Sequence, residues 1–163
     1  MKKILILFAL AMPMWMSAQK MGYINTQELF PLMPEVKVAQ ARMDSLNKQY
    51  EDMLNGMVEE YKKKLADYEQ KRATLTEAMQ QIQEEELYTM QQRIQTANQT
   101  AQQDLQSKEQ EMLAPIHEKM SKAIQVVGER EGFTYIFNSV ATVYVAPSAV
   151  NVMESVKKEL GIK

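Results

Sequence analysis

Apolar side chains recur at alternating steps of three and four through Val36, Ala39, Met43, Leu46, Tyr50, Met53 and Met57. That spacing lays one apolar seam along a helix face. Past Gly56 the seam runs better through Leu54, Val58, Tyr61, Leu65 and Tyr68, one residue out of the earlier frame, so Gly56 reads as a soft point. A second seam passes through Met79, Ile82, Leu87, Met90, Ile94, Ala97, Ala101 and Leu105, then thickens at Leu113, Ile116, Met120, Ile124 and Val127. Its middle is thin and rich in glutamine. Neither glycine nor proline falls between Gly56 and Pro115, and the residues there are mostly strong helix formers. A single helix from Glu35 to Glu131 would be extraordinarily long, so a reversal is expected. Thr74-Leu-Thr-Glu77 has the spacing of a capping box, with a hydroxyl and a carboxylate to satisfy the orphan donors of a new helix start. The pattern predicts an antiparallel helical hairpin over residues 35–131 with its tip near 73–80. Its arms would have about 40 and 55 residues, the shorter about 60 Å long. Glu59 with Lys63, Glu60 with Lys64 and Asp67 with Lys71 are acid-first i,i+4 pairs that mark the wet face.

The ends read differently. Met21-Gly-Tyr-Ile-Asn25, Phe133-Thr-Tyr-Ile-Phe137 and Thr142-Val-Tyr-Val-Ala146 are short and rich in β-branched and aromatic residues, which predicts three strands. Gly132 stands where the second arm should stop. Asn151 with Glu154 has the form of a helix start, opening a last helix through Val152, Val156 and Leu160 that ends near Gly161. Residues 19–34 and 132–163 are thus expected to form a small β-rich body. Three short strands leave sheet edges that other copies of the chain would pair or cover, so an oligomer is expected.

Composition changes the picture in three ways. Met1-Lys2-Lys3, the apolar run Ile4 to Met12, Pro13 and the small pair Ser17-Ala18 have the layout of a secretory signal peptide. Residues 1–18 are therefore set apart from the fold and the chain is expected in the periplasm. The run is too short, and too interrupted by Pro13, to be read as a membrane-spanning helix. There is no cysteine, hence no disulfide, no thiolate chemistry and no acylated lipobox residue. Without Lys2 and Lys3, 17 basic residues face 21 acidic ones, which argues against nucleic acid as a partner. His117 is the only histidine, with no metal-ligand cluster or glycine-rich phosphate loop beside it, so no metal, cofactor or enzymatic activity is expected.

Taken in order, Gly22-Tyr-Ile-Asn-Thr-Gln-Glu-Leu-Phe30, the long charged hairpin, Pro115-Ile-His-Glu-Lys119 with Ala123-Ile124, and Gly132-Phe-Thr-Tyr-Ile-Phe-Asn138 resemble the Skp, or OmpH-like, periplasmic chaperones over residues 20–163. The Ser17-Ala18-Gln19 junction is similar to those of Bacteroidetes exports. The resemblance implies a mainly α fold in which a long helical hairpin, or tentacle, projects from a trimerising β body. It implies a homotrimer whose tentacles surround a cavity that holds unfolded outer-membrane proteins without ATP. Carried onto this chain, the oligomer body would include Tyr23, Ile24, Phe133, Tyr135, Phe137, Val143 and Val145. The best-known members are basic whereas this chain is mildly acidic, so contact with lipopolysaccharide or a membrane surface is left unsupported.

A holdase needs contacts that are weak, nonspecific and repeated. Linked arms acting together raise avidity by roughly 10² to 10⁴, and flexible thioethers adapt to varied apolar partners. Residues 21–163 hold ten methionines. Met53, Met57, Met79 and Met90, with Tyr61 and Tyr68, are the candidate client contacts. Packing within the hairpin seam is the commoner role for any one of them, the tyrosines especially, so client contact is a collective expectation. The basic cluster Lys62-Lys63-Lys64 with Lys71-Arg72, and the acidic Glu84-Glu85-Glu86, read as solvated mixed-charge faces. Pro115 is expected to kink the second arm or, alternatively, to begin a separate helix. The competing functional class is a structural coiled-coil scaffold of the cell envelope, for which longer uninterrupted heptads or an anchor would be needed.

Overall fold

The computed structural model describes residues 19–162; the predicted signal peptide at 1–18 lies outside the described residues. The elements, in chain order, are β1 (Met21–Ile24), α1 (Thr26–Leu29) running into a 3₁₀ turn (Phe30–Leu32), α2 (Pro34–Lys71), a 3₁₀ turn (Arg72–Thr74), α3 (Glu77–Glu131), β2 (Tyr135–Asn138), a 3₁₀ turn (Ser139–Ala141), β3 (Val150–Asn151) and α4 (Met153–Leu160). The chain divides into two compact units. One takes the stretch up to Thr26 together with Ala123–Gly161, and the other takes Gln27–Lys122.

In the first unit β1 is the middle strand of a three-stranded parallel sheet of order β2-β1-β3. Met21 pairs with Tyr135 and Ile24 with Asn138 on one side; Gly22 pairs with Val150 and Tyr23 with Asn151 on the other. Ile24, Val127, Val152 and Val156 are almost wholly buried and form the core beneath it. Glycine at 22 is dictated by proximity: a Cβ there would sit 3.0 Å from the Phe133 ring and 3.1 Å from Val152. Gly132, at φ +71°, ends α3 as expected. The Phe133 N–H donates to the Gly128 carbonyl at 2.9 Å and the Gly132 N–H to Glu129 at 3.4 Å, the paired bonds of a Schellman stop. Lys20 completes that end, its ammonium donating to the Glu131 carbonyl at 2.8 Å and lying 4.1 Å above the Phe133 ring. Val152 rather than Asn151 is the N-cap of α4, and Asn151, one residue earlier, accepts from the Met153 N–H at 2.9 Å.

The third strand is not where the composition placed it. Thr142–Ala146 forms no strand within the chain, and Val143 and Tyr144 are 106% and 74% exposed. The free edge of β1 is taken instead by Val150–Asn151, with the Val152 N–H extending the ladder to the Tyr23 carbonyl at 3.0 Å. Strand-forming composition needs a partner, and the edge of β1 opposite β2 is occupied by Val150–Asn151. Phe133, expected in β2, lies just before it, packed against Gly22.

The second unit is an antiparallel hairpin. As the linked position on α2 advances from 35 to 68, its partner on α3 falls back from 119 to 84. The reversal differs in detail from the expected capping box. Thr74 turns back, its hydroxyl donating to the Lys71 carbonyl at 2.7 Å. Thr76 starts α3 instead, accepting from the Met79 N–H at 3.4 Å. The Gln80 side-chain amide ties the turn by donating to the Arg72 and Leu75 carbonyls at 2.9 and 3.3 Å. α3 runs unbroken through Pro115, so no separate helix begins there. The missing N–H leaves the Glu111 carbonyl without its helical donor, the local weakness from which a bend is expected.

Two glycine substitutions should move stability in opposite directions. Gly22→Ala overpacks the sheet against Phe133 and should cost about 1–3 kcal/mol. A Cβ at Gly56, inside α2, would meet nothing within 4 Å, so Gly56→Ala should add about 0.5–1 kcal/mol. Urea unfolding followed by circular dichroism measures both signs.

Candidate functional site: the hairpin seam and its open faces

The arms meet along a seam that buries small residues, Ala39 on α2 and Ala101 on α3, beside long polar side chains. Four polar links bridge them from one end to the other. Glu35 pairs with Lys119; the Tyr50 phenol donates to Asp104 at 2.6 Å; the Gln91 amide donates to the Tyr61 phenol oxygen at 2.5 Å; the Tyr68 phenol donates to Glu84. Lys64 pairs with Glu86 between the last two, and Arg72 lies 3.7 Å from Glu84. The pairing of Lys64 corrects the expected Glu60–Lys64 bridge, because a partner on the facing arm is in reach. Lys62 takes Glu59 at 2.8 Å, and Lys71 takes Asp67 as expected, also at 2.8 Å.

Buried apolar residues along the seam of the hairpin unit are few: Ala39, Tyr68, Leu87, Ala101, Ile116 and Met120. The inward stripe of α2 runs through Tyr50, Leu54, Val58, Tyr61, Leu65 and Tyr68, so the slip of frame occurs after Tyr50, ahead of Gly56, and leaves Met53 44% exposed. On α3 Gln80 and Gln83 turn inward near the tip while Met79 and Ile82 are 49% and 65% exposed. The apolar count alone pointed to Met79 and Ile82. Beside the tip, however, Gln80 is drawn in by the turn carbonyls it satisfies, which rotates its apolar neighbours outward.

Met57 and Met90 are half-buried and line one cavity of about 490 Å³ together with Ile82 and Ile94; Lys64 and Arg93 stand at its polar side. A second groove, about 640 Å³, is lined by Pro34, Val38, Met112, Pro115 and Ile116. Neither groove was foreseen as a unit, because each takes residues from both arms. Tyr61 and Tyr68 lie in the seam as cross-arm links. The sheet residues fall elsewhere: Ile24 is buried, Tyr23 and Phe133 half-buried, and Tyr135 and Phe137 exposed with stacked rings 6.0 Å apart. His117 stacks on Phe30 with ring centroids 4.4 Å apart, a packing role. Among the described residues no group of three or more His, Cys, Asp or Glu could hold a metal ion, and no helix is long and apolar enough to cross a membrane.

Long paired helices and a small parallel sheet define the class of the fold as mainly α with a minor β part. The sequence profile of the outer membrane protein (OmpH-like) family matches residues 20–160, and the chain belongs to that family. No curated protein matches it in sequence. Among solved structures, a candidate outer membrane chaperone (OmpH-like) from Caulobacter crescentus CB15 shares the fold with a TM-score of 0.77 at 16% identity, over 88% of this chain and 84% of that one.

The cross-arm links give the hairpin a pH signature. The hydrogen bond to Asp104 raises the Tyr50 pKa above its ordinary 10.0, and the bond to Glu84 does the same for Tyr68. A raised folded-state pKa contributes stability below the ordinary value that is lost as pH rises through the folded value. The melting temperature should therefore fall as pH climbs above 10. Tyr50→Phe with Tyr68→Phe should melt lower at neutral pH and fall less steeply at alkaline pH. At the acid end the hydrogen bond from Lys119 lowers the Glu35 pKa below 4.5, so its contribution is present above that value and lost as pH falls through the folded one. In Glu35→Gln that part of the acid sensitivity should vanish from circular-dichroism melts.

Proposed function

We propose that this chain is an ATP-independent periplasmic holdase, which binds unfolded outer-membrane proteins between helical arms and keeps them from aggregating. The observation that carries the reading is the seam: two long helices bridged by polar side chains, with half-buried methionines lining grooves on their flanks. Such arms have apolar surface to lend and little packing to lose when they lend it. An unfolded chain needs contacts of this deformable kind. Membership of the OmpH-like family and the likeness to a candidate outer membrane chaperone support the same reading.

Met53 and Met79, exposed on the arms, and Met57 and Met90, in the cavity, are the proposed client contacts. Tyr61 and Tyr68 contribute by setting the distance between the arms. The working unit is a homotrimer whose shared body uses Tyr23, Ile24, Phe133, Tyr135, Phe137, Val143 and Val145. In support, no charged residue occurs between Phe133 and Met153, and Tyr135, Phe137, Val143 and Tyr144 are exposed in the single chain. An uncharged aromatic surface of this kind is suited to burial against copies of itself.

The test dilutes a urea-unfolded outer-membrane β-barrel protein into buffer containing the purified chain and follows light scattering. Suppression of aggregation at a severalfold excess is expected; unchanged scattering would sink the holdase and favour an envelope scaffold. Sedimentation at micromolar concentration should give three chains per particle, and a persistent monomer would remove the shared body.

A further inference from the structure

We propose that the hairpin carries an oxidation site at Met57 and Met90, and that conversion of these thioethers to sulfoxides loosens the arms. The chain has 14 methionines and no cysteine, so thioethers are its only side-chain sulfur. Their access to solvent is graded. Met53 and Met79 are 44% and 49% exposed, Met57 and Met90 are half-buried around an open cavity, and Met33 and Met120 are buried at 0% and 6%. The cavity has room for a small oxidant such as hydrogen peroxide. Each thioether would give up two electrons and gain one oxygen; the peroxide O–O bond breaks, and its other oxygen leaves as water.

The consequence follows from where the two sulfurs sit. Met57 on α2 and Met90 on α3 line one cavity with Ile94 in a seam with few buried apolar residues, so making both polar weakens the apolar contact between the arms there. A sulfoxide oxygen is also a strong acceptor placed beside donors already in use. Met57 lies one turn before Tyr61, which takes part in one cross-arm hydrogen bond. Lys64, which lines the same cavity, supplies the cross-arm pair with Glu86. New acceptors at both positions compete for the Lys64 ammonium, drawing it away from its cross-arm partner Glu86. Oxidation of exposed Met53 and Met79 touches neither link.

This inference does not depend on the holdase reading, and its test reads arm stability with no client present. The purified protein is titrated with hydrogen peroxide, oxidised positions are mapped by peptide mass spectrometry, and helix melting is followed by circular dichroism. Met53 and Met79 should oxidise first, Met57 and Met90 next, and Met33 and Met120 last. The melting temperature should fall by about 4 °C or more only as Met57 and Met90 are consumed. M57L/M90L should keep its midpoint after the same treatment, while M53L/M79L should lose as much as the unsubstituted chain. Untreated M57Q/M90Q, polar at both positions, should reproduce the fall. An equal loss in treated M57L/M90L, or an unchanged midpoint once both sulfurs are oxidised, overturns the proposal.

Discussion

The two arms of the hairpin are held in register by polar side chains that reach across a seam with only a narrow apolar stripe, and the behaviour of the hairpin follows from that mixture. What joins them is a series of long side chains meeting end to end: Glu35 with Lys119, Tyr50 with Asp104, Tyr61 with Gln91, Lys64 with Glu86 and Tyr68 with Glu84. Polar links of this kind set register and spacing more than they supply stability, because water competes for each of them. The apolar contribution is correspondingly small, with Ala39 and Ala101 among the few buried positions. A seam so built can yield locally without the helices unfolding, since each helix keeps its own backbone hydrogen bonds.

The sheet unit follows the opposite logic. Its middle strand is four residues long yet has partners on both sides, and Gly22 lets the Phe133 ring and Val152 close over it. Ile24, Val127, Val152 and Val156 are almost without solvent contact. The stop at Gly132, held by two backbone bonds and the Lys20 ammonium, fixes where the long helix ends and β2 begins. Apart from Met21, the large exposed apolar residues of this unit are gathered in the uncharged stretch after Gly132. In one chain, therefore, the hairpin displays scattered, adjustable apolar side chains, whereas the sheet unit displays a concentrated patch. The first arrangement suits many transient contacts and the second suits one extended one.

Local sequence determined a good deal of this. Steps of three and four through Val36, Ala39, Met43, Leu46 and Tyr50, and again from Leu87 to Ala101, compel helices because that period puts apolar groups on one side of a 3.6-residue turn. Gly132 and Gly161 mark helix stops because only glycine enters the left-handed region without cost, and both do so at φ +71° and +72°. The mainly α class with a small β part was thus legible before any coordinates.

Tertiary structure decided which side of each helix mattered, and which edge each strand found. Met53 gives way to Leu54, and Met79 and Ile82 to Gln80 and Gln83, because inward facing is defined by the opposite arm and by the turn carbonyls that Gln80 satisfies. Lys64 prefers Glu86 over its own helix for the same reason. Thr142–Ala146 has strand composition yet forms no strand, while Val150–Asn151, two residues with little strand signal, pairs with β1 because the chain delivers it to that edge. Periodicity and turn chemistry act over a few residues and are written in the order of the amino acids. Pairing is a property of surfaces that meet only after the chain has reversed, and it was settled there.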